Sequence, residues 1–196
     1  MSETLLVEAV FQEEIRKSRF QAFAAPISSA ADAQTFIDRV SDPGATHNCW
    51  AWKLGQQYRF NDDGEPGGTA GRPILTAIEG QNCDRVVVVV TRWFGGIKLG
   101  TGGLVRAYGG CAAKCLQQAE RVELVPRVLV ACHCTYSELP LLESRLHEFD
   151  TLLDDKAFGA SGVDIRLALP EEHLSPLERF LADVSRGRIA LHRIQE

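Results

Sequence analysis

Five consecutive valines, Val86 to Val90, form an uninterrupted apolar run. Branching at Cβ suits a pleated strand, and the lack of polar alternation predicts burial on both faces, which makes this a central strand. Arg92, Trp93 and Phe94 follow at its carboxyl end, and then a loop in which Gly95, Gly96, Gly100, Gly102 and Gly103 surround Ile97 and Leu99. From about Thr101 the spacing turns helical, with Leu104, Tyr108, Cys111 and Cys115 on one face. Strand, glycine loop and helix thus follow one another without a break.

Before this stretch, strand-like runs at Leu5 to Phe11 and Phe20 to Ile27 flank the charged segment EEIRKSR, which suggests a hairpin. Ser29 and Asp32 open a helix whose stripe is Ala33, Phe36, Ile37 and Val40. ATHNCWAWKLG and QQYRF read as a second hairpin, with Cys49, Ala51 and Lys53 on one side of its first strand and Trp50, Trp52 and Leu54 on the other. A second glycine-rich loop, NDDGEPGGTAGRP, leads into a short helix carrying Ile74, Leu75 and Ile78.

After a join at Arg121 to Arg127, the pattern becomes that of a compact α+β unit. Val128, Val130, Cys132, Cys134 and Tyr136 alternate along a strand, and Ser137 is placed to cap a helix through Phe149. Strands follow at Thr151 to Phe158 and Gly162 to Leu169, joined by GASG. Ser175 and Glu178 suggest a capping box for a last helix that stops at Gly187, before a final strand over Arg188 to Ile194. The order is β-α-β-β-α-β, the split βαβ or ferredoxin-like arrangement. The fold class is therefore α+β in two domains, 1–124 and 125–196.

Charge narrows the chemistry. The net charge of −5 argues against a uniformly basic surface, yet Arg85, Arg92, Lys98, Arg106 and Lys114 precede the next acidic residue, Glu120. An α-helix start beside a glycine loop favours an anion, so a phosphate-bearing partner is expected at Arg92, Trp93, Phe94, Gly95, Gly96, Lys98, Gly100, Thr101, Gly102, Gly103 and Arg106. Standard nucleotide loops do not fit: Gly95 and Gly100 have Walker A spacing, but Thr101 stands where the lysine belongs.

The second loop supplies further candidates, His47, Asn48, Asp62, Asp63, Glu65 and Arg72. The three carboxylates could hold a metal or serve as turn and capping groups, and the EF-hand pattern fails because Arg59 and Ala70 fall at ligand positions. His47 and Cys49 lie two apart on one strand with no third orienting group, so no catalytic residue is assigned. The six cysteines read as reduced thiols, and Cys111, Cys115, Cys132 and Cys134 as core residues rather than a zinc site. No metal or cofactor is expected. The N-terminus lacks a signal-peptide pattern and no apolar run is long enough to span a bilayer, which points to a cytoplasmic protein without a membrane partner.

Three segments, HNCWAW at 47–52, NDDGEPGGTAGRPIL at 61–75 and VVVVVTRWFGGIKLGTGGLVRAYG at 86–109, together resemble the IMPACT/YigZ family. The resemblance spans roughly residues 10 to 120, and the remainder is similar to the second domain of bacterial two-domain members. It implies a first domain similar to domain IV of elongation factor G and to the GHMP kinases, and a second similar to domain V of that factor. Eukaryotic members regulate translation by competing for the activator of a stress kinase. They use an additional RWD domain, for which this chain has no room.

The function expected is non-enzymatic nucleic-acid binding, to RNA, linked to translation, with RNA or ribosome-associated factors as partners and the oligomeric state open. The alternatives are a phosphate-ligand or metal-dependent phosphoryl-transfer enzyme built from the two glycine loops, and a protein-interaction module.

Overall fold

The computed structural model describes residues 2–194. Its contacts divide the chain into two units, Met1–Leu124 and Val125–Glu196.

The centre of unit 1 is the valine strand β6 (Val86–Trp93), reached after β1 (Glu3–Leu5), β2 (Ala9–Ile15), β3 (Ser18–Pro26), α1 (Ala30–Val40), β4 (His47–Leu54), β5 (Gln57–Asn61) and α2 (Gly71–Gly80). Five strands form one antiparallel sheet in the order β2-β3-β6-β4-β5, which puts β6 in the middle. Because side chains alternate across a strand, Val86, Val88 and Val90 enter the core beneath α2 and α3 (Thr101–Gln118), while Val87 and Val89 enter the core beneath α1. Both faces are covered, and that is why no polar residue interrupts the run. Cys49 and Ala51 join the first core, and Trp50, Trp52 and Leu54 the second.

Two details of unit 1 differ from the sequence expectation. The segment EEIRKSR is mostly strand: β2 runs to Ile15 and β3 starts at Ser18, leaving only Arg16 and Lys17 as the turn. Both have positive φ, 45° and 66°, as a tight two-residue hairpin requires. Asparagine and glycine usually signal that turn, and here neither is present. The join after α3 also contains a strand, β7 (Arg121–Glu123), which pairs with β1.

Unit 2 comprises β8 (Arg127–Cys134), α4 (Leu139–Arg145), β9 (Leu152–Phe158), β10 (Val163–Pro170), α5 (Leu174–Ser185) and β11 (His192–Arg193), with the sheet order β11-β8-β10-β9. Val130, Cys132 and Cys134 of β8 and Val163, Ile165, Leu167 and Leu169 of β10 share one face, which packs with Leu142 of α4 and Leu177 and Leu181 of α5. Its helix ends depart from the expected caps. Ser137 caps nothing; α4 begins after Glu138, whose carboxylate instead takes the Thr135 amide and hydroxyl, and its last turn tightens to a 3-10 helix over Leu146–Phe149. The 3-10 turn Glu171–His173 leads straight into α5 at Leu174, so Ser175 lies inside the helix and makes no capping box. The final strand is shorter than Arg188 to Ile194 because only His192 and Arg193 pair with β8.

Candidate nucleic-acid interface

At the carboxyl end of β6 the chain enters the glycine loop, and Arg92 lies at the threshold. Arg92 is only 5 % exposed. Its Nη1 donates to Glu65 Oε1 at 2.6 Å, and the Tyr108 hydroxyl donates to the same oxygen at 2.6 Å. The ion pair is buried on both sides, so neither charge is shared with solvent. Arg92 is therefore a strut between β6, the second glycine loop and α3, and not the phosphate contact that its place in the sequence suggested. Burial pushes the Tyr108 hydroxyl far above its ordinary pKa, which keeps it a donor.

The other second-loop residues are likewise held by internal bonds. Asp62 accepts the amides of Gly68, Ala70 and Gly71 and so caps the start of α2 from eight or nine residues upstream. Asp63 accepts the Asn48 amide at 2.6 Å, and its carbonyl faces His47 Nδ1 at 2.7 Å, which fixes the ring proton on that nitrogen. His47 Nε2 then faces Glu65 Oε1 at 3.7 Å. The Asn48 side chain bonds Asp42 at both its amide and carbonyl and accepts the Thr91 hydroxyl. The three carboxylates thus serve three different partners, and among the described residues no group of three or more metal-binding side chains converges. Arg72 is exposed and free of any ion pair among the described residues.

Cys49 does not form a nucleophile with His47. Its thiol bonds the Asp62 carbonyl at 3.0 Å, and burial pushes its pKa up to about 12, where no useful thiolate exists near neutrality. The other five cysteines are also buried and unbridged.

The basic strip read along the sequence does not survive as one surface. Arg85 is at the opposite end of β6 from the loop, eight residues before Trp93 closes it. Lys114 pairs with Glu13. Lys98 and Arg106 remain exposed, with no carboxylate partner among the described residues. Three further cations join them from the first hairpin. Gly95 packs so tightly on that hairpin that a Cβ added to it would sit 1.8 Å from the Lys17 carbonyl oxygen, and only glycine fits there. Ser18 reinforces the contact by accepting the Gly95 amide at 3.3 Å.

Arg16 and Lys17 are consequently brought to the glycine loop, and Arg19 stands opposite Trp93 in the β3–β6 ladder with its guanidinium 3.8 Å from the indole centroid. All three are exposed and make no ion pair among the described residues. Trp93 is half-buried, one face occupied by Arg19 and its Nε1 bonded to Asp42 at 3.1 Å. Phe94 is 46 % exposed. The hairpin cations were visible only as the RKSR of a connection, because nothing local to them says which loop they touch.

At the far end of the loop, Gly100 has φ 73° and precedes α3 as its N-cap, without a side-chain capping bond and with no acidic residue in the first turn. Arg106 folds back over that turn, its Nη1 3.7 Å from where a Gly102 side chain would begin. An uncapped helix start and a cation are thus placed together, an arrangement that repels unless an anion joins them.

The Impact N-terminal domain model matches residues 16–116, and the domain of unknown function DUF1949 matches residues 132–188. An "IMPACT family member in pol 5'region" of Thermus thermophilus is 45 % identical over 89 % of this chain and 97 % of its own length. The "IMPACT family member YigZ" of Escherichia coli strain K12 is 39 % identical over 94 % of this chain and 93 % of its own. A crystal structure of a hypothetical protein, 36 % identical, superposes over 100 % of this chain and 99 % of that one with a TM-score of 0.82. The chain belongs to the IMPACT/YigZ family.

Proposed function

We propose that this protein is a non-enzymatic RNA-binding protein linked to translation. The observation that carries the reading is the set of five exposed cations, Arg16, Lys17, Arg19, Lys98 and Arg106, which no carboxylate among the described residues neutralises. They come from two segments locked together by Lys17 and Gly95, and the uncapped start of α3 follows within the same loop. Unpaired cations beside free backbone amides suit a phosphodiester backbone, which is read by charge and close approach rather than by base identity. The carboxylates that phosphoryl transfer would need are each taken up by internal bonds.

The β-α-β-β-α-β order of unit 2, with its sheet order β11-β8-β10-β9, supports a ferredoxin-like assignment, similar to domain V of elongation factor G. The first unit is assigned, in the same reading, to the fold shared by domain IV of that factor and the GHMP kinases. Cytoplasmic RNA or ribosome-associated factors are the partners this implies. Fluorescence anisotropy with a labelled oligoribonucleotide tests the proposal: the wild type binds, and Lys17→Ala with Lys98→Ala binds more weakly. Absence of binding, or binding indifferent to those substitutions, contradicts it.

A further inference from the structure

Strand β5 closes one edge of the large sheet, and all five of its residues are exposed. An open edge ordinarily carries charges or proline that discourage pairing with other chains. Here it carries Tyr58, 51 % exposed, and Phe60, 39 % exposed. The ladder sets Phe60 opposite Ala51 and Tyr58 opposite Lys53, so both rings rise on the face that bears α2 and stay partly open to solvent beside it. Two residues apart on a strand, the rings are spaced about 6.7 Å along it.

One arginine borders the rings. Arg72, in the first turn of α2, holds its guanidinium 5.9 Å from the Phe60 ring centroid. Arg59 projects from the other face of the same strand. Neither forms an ion pair among the described residues. An apolar peptide would gain nothing from an unpaired guanidinium group, whereas a nucleic-acid strand offers a π face to each ring and a phosphate to Arg72.

We infer that Tyr58 and Phe60 form a stacking platform for two unpaired bases of a single-stranded nucleic acid, with Arg72 over the platform meeting the adjoining phosphate. The inference rests on the RNA-binding reading and adds its ligand class: a strand with unpaired bases, taken up without base identity being read. A duplex, whose bases are already stacked, would engage the cations of the glycine loop and leave this edge unused.

The experiment compares an oligouridylate with a phosphodiester strand of equal length that carries no bases, using wild type, Tyr58→Ala, Phe60→Ala and the conservative pair Tyr58→Phe and Phe60→Tyr. The positions are exposed, and circular dichroism confirms that each variant is folded. Each alanine variant lowers oligouridylate affinity by roughly 5-fold or more, the conservative pair retains it, and no variant changes affinity for the base-free strand. If the alanine variants bind oligouridylate as wild type does, or lose the base-free strand equally, the platform is refuted while the cation reading stands. If wild type binds neither strand, the cation reading fails and the platform with it.

Discussion

Arg92 Nη1 lies 2.6 Å from Glu65 Oε1 inside unit 1, with both side chains almost wholly enclosed. The pair ties the central strand to the second glycine loop, and Tyr108 ties the same oxygen to α3. Removing one partner leaves an unmatched charge in the core. Arg92→Met and Glu65→Ala each lower unfolding stability by about 3–5 kcal/mol. Their combination costs less than the sum of the two, because the second change removes the charge that the first stranded. Urea denaturation of the two single variants and the double variant measures both effects.

The contact between Gly95 and Lys17 is the hinge of the cation surface. Gly95→Ala places a methyl group 1.8 Å from the Lys17 carbonyl, so the hairpin must move away from the loop. A loss of about 1–3 kcal/mol in stability is expected, together with weaker RNA binding. Gly110→Ala, inside α3 with nothing within 4 Å of the added atom, serves as the control: it leaves RNA binding unchanged and raises stability by about 0.5–1 kcal/mol, the gain of alanine over glycine in a helix interior.

Much of this fold was legible from local pattern. Val86 to Val90 fit only a strand covered on both sides, and the Ser29 and Asp32 pair marked the start of α1, where Ser29 does accept the Asp32 amide. What was hidden depends on contacts distant in sequence. Glu65 and Arg92 are 27 residues apart, and no periodicity joins them, so a buried strut looked like a free cation. Arg16 and Lys17 turn a hairpin without the residues that announce such a turn, because the two-residue connection between paired β2 and β3 requires left-handed backbone that their own propensities do not favour. Ser175 failed as a cap for a related reason: the preceding 3-10 turn supplies the helix with an earlier start.

The cysteines give a direct readout of unfolding. Burial pushes Cys49, Cys111 and Cys115 up to about 12 and Cys132 up to about 11. Near pH 8 the thiolate fraction at a pKa of about 12 is on the order of one in ten thousand. Thiol labelling of the native protein with a disulfide reagent is accordingly negligible, and six equivalents react as denaturant crosses the transition.

Unit 2 carries an acid-sensitive bond. The Arg188 guanidinium and the Thr135 hydroxyl and amide hold the Glu138 carboxyl down at about 2, against an ordinary value of 4.5. A depressed carboxyl stabilises the fold above its unfolded pKa and loses that contribution as pH falls toward the folded value. Stability of unit 2 therefore declines between about pH 4.5 and about pH 2 through this group. Glu138→Gln lowers stability at neutral pH and flattens this limb, as thermal melts across the range will show.

The central claim is that the exposed cations at the glycine loop bind phosphates. With Arg16, Lys17, Arg19, Lys98 and Arg106 as the contacts, the affinity for a single-stranded oligoribonucleotide falls with salt at a log-log slope of about −3.5 or shallower, at about 0.7 per contact. Lys98→Ala with Arg106→Ala makes that slope shallower by about 1.4, whereas the same titration on Arg85→Ala, at the other end of β6, leaves it unchanged. Binding that ignores salt, or a slope that the Lys98 and Arg106 substitutions do not move, would contradict the account.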